Sequence, residues 1–92
     1  MKRAHIEFYG EVQGTGHRFF IKQKAYELGL KGFCQLIDNQ VLEVEVEGEV
    51  DAVDEFIRFI VKGVSLQVES NNFKLQTFET LKGYTAMRSD IV

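Results

Sequence analysis

An α+β two-layer sandwich, with a mostly antiparallel sheet and two helices on one face, is the fold class that the sequence predicts. Three observations carry it. Lys2–Val12 and Val41–Glu49 alternate apolar and polar residues, the period of a half-buried strand. His17–Leu28 and Val53–Ile60 instead space their apolar residues three and four apart, the period of an amphipathic helix. The resulting order of strand, helix, strand, strand, helix, strand, strand is that of a split βαβ unit, the ferredoxin-like arrangement.

The elements follow in order. Ala4, Ile6, Phe8, Gly10 and Val12 fall on one face of the first strand; Arg3, His5, Glu7, Tyr9 and Glu11 fall on the other. His5 is thus expected to be a solvated histidine. In the first helix Arg18, Ile21, Ala25 and Leu28 share a face, and Gly29 suits a C-terminal cap. Phe19 and Tyr26 point away from that face, and Lys22, Lys24 and Lys31 read as solvated. Gly32–Ile37 is a short apolar strand holding Cys34, expected to be a buried, inert thiol. Asp38-Asn39-Gln40 forms the turn of a hairpin into the next strand, since Asn tolerates left-handed conformations. There Leu42, Val44, Val46 and Gly48 alternate with Glu43, Glu45, Glu47 and Glu49; this glutamate ladder reads as a solubility device on a wet face rather than a metal site. Asp51 is expected to cap the second helix, which carries Val53, Phe56, Ile57 and Ile60 on one face and ends near Lys62-Gly63. Val64–Val68, Phe73–Phe78 and Gly83–Met87 read as strands, with Ser70-Asn71-Asn72 as a turn or bulge and a frayed tail from Arg88 to Val92.

Composition narrows the function classes. Ninety-two residues accommodate one core and therefore one domain. A net charge of −3 argues against a broad basic surface for nucleic acid, while leaving room for a local anion pocket. One cysteine permits neither an intramolecular disulfide nor a cysteine-based zinc site, and suits a reducing cytoplasm. No apolar run approaches the roughly 18 residues that span a bilayer, and no signal peptide is evident.

The chemistry concentrates at Glu11-Val12-Gln13-Gly14-Thr15-Gly16-His17-Arg18, where the strand period gives way to the helix period. Two glycines allow a tight turn and close approach of backbone to a ligand. The first amides of the following helix lack intrahelical partners and, with the helix dipole, favour an anion. Arg18 adds a permanent charge with a two-pronged donor geometry. Gln13, Gly14, Thr15, Gly16, His17 and Arg18 are therefore the candidate phosphate seat.

With these residues in view, the sequence resembles the acylphosphatase family. The resemblance rests on Gly10 through Arg18, then Ala25, Leu28-Gly29-Leu30, Gly32-Phe33, Val44–Gly48 and Phe56-Ile57-Arg58, and thins beyond Gly63. It implies a single acylphosphatase-like domain over residues 1–92, and hydrolysis of small acyl phosphates to carboxylate and phosphate without metal, cofactor or covalent intermediate. It also implies that Arg18 and the loop amides hold the phosphoryl group. The family positions the attacking water with an asparagine in a Gly-aromatic-x-x-Asn pattern, and that position here is Leu36. Leucine neither donates nor accepts a hydrogen bond through its side chain, so weak turnover is expected. Thr15 and His17 stand where the family usually has Val and Phe. Three readings stay open: a slow hydrolase, an anion-binding module without turnover, and an interaction domain whose loop is only structural. The expected partner is a small acyl phosphate or inorganic phosphate, with no nucleic acid and no membrane, bound by a monomer.

Overall fold

The computed structural model describes residues 1–9, 17–38, 41–62 and 73–89. In chain order these form β1 (Lys2–Tyr9), α1 (His17–Glu27), β2 (Lys31–Asp38), β3 (Val41–Gly48), α2 (Val50–Lys62), β4 (Phe73–Phe78) and β5 (Met87–Ser89). The five strands make one sheet in the order β4-β1-β3-β2-β5. β1 and β3 occupy its interior and pair antiparallel from Lys2 opposite Gly48 to Tyr9 opposite Val41. The β1–β4 and β2–β3 pairs are also antiparallel, and β5 adds to β2 in parallel.

The alternation read from the sequence decides which face is buried. Ala4, Ile6 and Phe8 of β1 lie beside Val46, Val44 and Leu42 of β3 in register, so all six side chains emerge on one face. Both helices cover that face. Ile21 and Ala25 from α1, and Val53, Phe56 and Ile60 from α2, join the strand residues and Cys34 in a single core. The α+β sandwich expected from the element order is the observed one.

α1 ends as its glycine requires. Gly29 has φ of 70°, the Gly29 amide donates to the Tyr26 carbonyl at 3.1 Å, and the Leu30 amide donates to the Ala25 carbonyl at 2.9 Å. This pair of bonds is the Schellman closure, and it turns Leu30 into the core. α2 begins at Val50, with the Val53 amide donating to the Glu49 carbonyl at 3.0 Å. Asp51 is therefore not the cap but sits in the first turn, where its charge still favours the helix dipole.

The last expected strand is displaced. Residues 83–86 are not extended in the sheet; the strand is Met87–Ser89, so Arg88 and Ser89 belong to the sheet rather than to a frayed tail. The reason is topological. β4 and β5 lie at opposite edges, so the segment between them has to cross the sheet, and it does so over the face that the helices leave open. The expected strand Val64–Val68, the Ser70-Asn71-Asn72 turn and the Asn39-Gln40 turn positions lie outside the described residues.

Gly32 is a point of close approach. Its φ is 151°, and a Cβ there would lie 1.8 Å from the Glu45 carbonyl oxygen. No side-chain rotation relieves a clash with backbone. Gly32→Ala is therefore expected to destabilise the chain by about 2–4 kcal/mol, at the upper end for overpacking. Urea unfolding checks this; a midpoint equal to the wild type would mean that β2 and β3 separate without cost.

Candidate functional site

One end of the sheet gathers the segments to which the sequence assigns chemistry. β1 exits there at Tyr9. β2 runs parallel to β1, because both are antiparallel to β3, so its last residues reach the same end and β3 starts there at Val41. α1 leads through Gly29 into the start of β2 at the far end. Its eleven residues span about 16 Å, which returns its first turn to the end where β1 exits. His17 and Arg18 open the helix backbone at this place. Gln13, Gly14, Thr15 and Gly16 lie outside the described residues, as do the side chains of His17 and Arg18.

Leu36 belongs to the same end. It is opposite Leu42, which is opposite Phe8, which is opposite Phe73, so one row crosses β2, β3, β1 and β4 on the helix side of the sheet. Leu36 is half-buried and packs against the core. Immediately after it the β2–β3 register shifts between Leu36 and Asp38, and Ile37 in this bulge is exposed. Bulges commonly re-aim side chains beside functional sites. Gln35, the neighbour able to hold a water, points to the opposite face and donates to Glu43 Oε1 at 3.2 Å. Phe19 and Phe20 follow Arg18 on α1; both are partly open to solvent, and their rings meet edge to face at 5.6 Å.

With this geometry the likeness to known proteins becomes specific. The acylphosphatase family model matches residues 4–87. The chain belongs to the acylphosphatase family. Among relatives, the acylphosphatase of Caldanaerobacter subterraneus is 36% identical over 63 residues, covering 68% of this chain and 70% of that protein. The acylphosphatase of Thermococcus kodakarensis is 31% identical over 83 residues, covering 89% and 91%. Among solved structures, Bacillus subtilis acylphosphatase superposes with a TM-score of 0.85 at 25% identity, covering 97% of this chain and 98% of that one. Within the family match the fold is the expected one, and β1 and the start of α1 flank the motif's loop, which lies outside the described residues. No helix among the described residues is long and apolar enough to cross a membrane.

The open face of the sheet holds what sequence reasoning missed. The glutamate ladder is not a wet solubility device throughout: Glu45 is 1% exposed and Glu47 6% exposed. Residues 79–86 form a strap across them. Glu47 accepts the amides of Lys82, Gly83 and Tyr84 at 2.8, 3.0 and 3.1 Å, a nest of successive N–H groups made possible by Gly83 at φ of 81°. Glu45 accepts from Arg3 Nη1 at 2.6 Å and from His5 Nδ1 at 2.9 Å, with Lys82 Nζ at 3.4 Å. Burial alone would raise the Glu45 carboxyl; the His5 and Arg3 hydrogen bonds and the Lys82 and Arg3 charges outweigh it and hold the group below the usual carboxylate range. Burial, followed by the Glu45 charge, pushes the Tyr84 phenol up. Arg3 also donates to the Thr80 carbonyl at 2.9 Å and lies over the Phe78 ring at 4.1 Å. His5 is likewise not a solvated histidine: its side chain is 20% exposed and bonded to Glu45. The available signal was the placement of Arg3 and His5 on the polar face of one strand with glutamates on the polar face of its partner.

Removing the Glu47 carboxylate leaves three strap amides without their shared acceptor. Glu47→Ala is expected to cost about 1.5–3 kcal/mol, the range for hydrogen bonds to a charged group. Amide exchange at Lys82, Gly83 and Tyr84 should accelerate selectively. If those amides stayed as protected as in the wild type, the strap would be held by other contacts.

Proposed function

We propose that this chain hydrolyses small acyl phosphates to a carboxylate and phosphate, slowly, at the end of the sheet where β1 passes into α1. The observation that carries the reading is the family match across that passage, with α1 opening at His17-Arg18 and Leu36 at the same end. The Arg18 guanidinium and the amides from Gln13 to His17 bind the phosphoryl oxygens and offset the charge on them as the reaction proceeds. A water oxygen forms the new P–O bond while the P–O bond to the acyl group breaks. The electron pair leaves with the carboxylate, and the water proton passes to phosphate or solvent. No residue side chain becomes covalently attached.

Such a reaction depends on positioning as well as charge. A side-chain amide at position 36 would hold the water; Leu36 supplies packing instead. The nearest polar substitute in sequence, Gln35, is engaged with Glu43 on the other face. This favours slow turnover, and it keeps phosphate binding without turnover as the second reading.

Two measurements test the proposal. Inorganic phosphate should shift the backbone amide resonances of residues 13–18, and Arg18→Ala should weaken that binding by about 1.5–3 kcal/mol. Unmoved loop amides at saturating phosphate would remove the seat. Leu36→Asn should raise the rate on benzoyl phosphate on the order of 10²-fold, the scale of one well-placed polar group. Phosphate affinity should be unchanged, at a stability loss of about 1–3 kcal/mol. A wild type already as fast as its relatives would show that another group orients the water. Phosphate binding by both forms with no turnover in either would leave the binding module as the correct reading.

A further inference from the structure

The open sheet face carries a second constellation, on the face opposite the core-facing row that holds Leu36. His5 and Glu7 project from β1 and Glu43 from β3, where Glu43 is opposite Glu7 in register. His5 Nε2 lies 3.2 Å from Glu43 Oε2 and 3.7 Å from Glu7 Oε1, and one ligand atom from each residue falls within 4.8 Å of the other two. Zinc bonds of about 2.0–2.2 Å in tetrahedral geometry set neighbouring ligand atoms about 3.3–3.6 Å apart, so a contraction of at most about 1.5 Å between the two carboxylates brings all three into one coordination sphere.

Each of the three side chains is also held from behind at its other polar atom. His5 Nδ1 meets the buried Glu45 carboxylate at 2.9 Å, Tyr9 Oη donates to Glu7 Oε2 at 2.7 Å, and Gln35 Nε2 donates to Glu43 Oε1 at 3.2 Å. The Glu45 carboxylate can only accept, so His5 donates to it from Nδ1, and the neutral imidazole that a metal binds would then offer Nε2 beside Glu7 and Glu43. A carboxylate behind a histidine and hydrogen bonds behind ligating carboxylates are the outer partners that orient metal ligands. Among the described residues, His5 is the one basic group within ion-pairing distance of Glu7 or Glu43. Lys74, opposite Glu7 on β4, instead lies with its ammonium 5.8 Å from the Tyr9 ring centroid. The side chains of His5, Glu7 and Glu43 are 20%, 34% and 22% exposed, which leaves the fourth direction open to a water.

We propose that His5, Glu7 and Glu43 form a site for a divalent first-row transition ion, with zinc the best match, bridging β1 and β3. One imidazole with two carboxylates and an open position suits zinc or cobalt, whereas magnesium and calcium prefer all-oxygen sets.

The test uses the full chain without an affinity tag. Cobalt titration should give a visible absorption band of tetrahedral intensity that saturates at one equivalent. Zinc should displace it and raise the melting temperature, while magnesium should do neither. Glu43→Gln and His5→Gln should each weaken cobalt binding by more than about a hundredfold, and Gln35→Ala, which only orients Glu43, by about tenfold. Far-ultraviolet circular dichroism confirms that each variant is folded, and Glu7→Gln serves if either ligand variant is not. Absence of a saturable band at millimolar cobalt would overturn the site, as would cobalt affinity unchanged in a folded ligand variant. A proton retained on His5 Nε2 in zinc-saturated protein, seen by nitrogen-15 NMR of the imidazole, would also overturn it, since the two glutamates would then be counter-ions of an imidazolium.

Discussion

The antiparallel pairing of β1 with β3 at the centre of the sheet is the constraint on which the rest of the structure depends. Eight residue pairs in strict alternation commit every side chain of the two strands to one face or the other. One face is apolar from Ala4 to Phe8, with Lys2 at its margin paired to Asp54 of α2, and gathers both helices into a single core. The other collects Arg3, His5 and Glu7 opposite Glu47, Glu45 and Glu43. A slip of one residue would exchange the faces, placing carboxylates under the helices and aliphatic side chains against the strap.

The charged face is stable because its buried groups are matched rather than because charge is favourable there. An isolated carboxylate taken out of water is costly, and an ion pair offsets that cost only when its geometry is good and its remaining lone pairs are used. Glu45 meets that condition through Arg3, His5 and Lys82, and Glu47 meets it through three backbone amides. The strap in turn has nowhere else to run, since it joins strands at opposite edges of the sheet. Tyr84 seals it by meeting the Phe33 ring edge to face at 6.0 Å. Topology and electrostatics thus account for each other: the crossing segment buries the glutamates, and the glutamates supply the acceptors that its amides need.

Within the acylphosphatase family the two parts of the proposed reaction separate along the chain. In the proposal charge stabilisation falls to the passage from β1 to α1, whose sequence carries Gly14, Gly16 and Arg18. Water positioning falls to the end of β2 in the same proposal, where Leu36 continues an apolar row. On that proposal, packing and turnover would compete for this one position. The carboxylate-rich face lies on the other side of the sheet, partly covered by the strap.

The sequence alone determined the element order, the apolar face of β1, β3 and α2, and the glycine closure of α1. Each is a local property, set by side-chain period or by a single residue's backbone freedom. The family was legible for the same reason, since its motif is a contiguous strand–turn–helix passage. The motif also located Leu36, but only the strand register shows that it shares a sheet end with the start of α1. Only tertiary structure decided the fate of the glutamates. Period two says that Glu43, Glu45 and Glu47 share a face with one another; it does not say that a segment some thirty-five residues later will cover them. The burial of Glu45 and Glu47 arises from strand order and edge-to-edge connection, and the meeting of His5 with Glu43 from the pairing of β1 with β3. Those are properties of the whole sheet that no window of sequence contains.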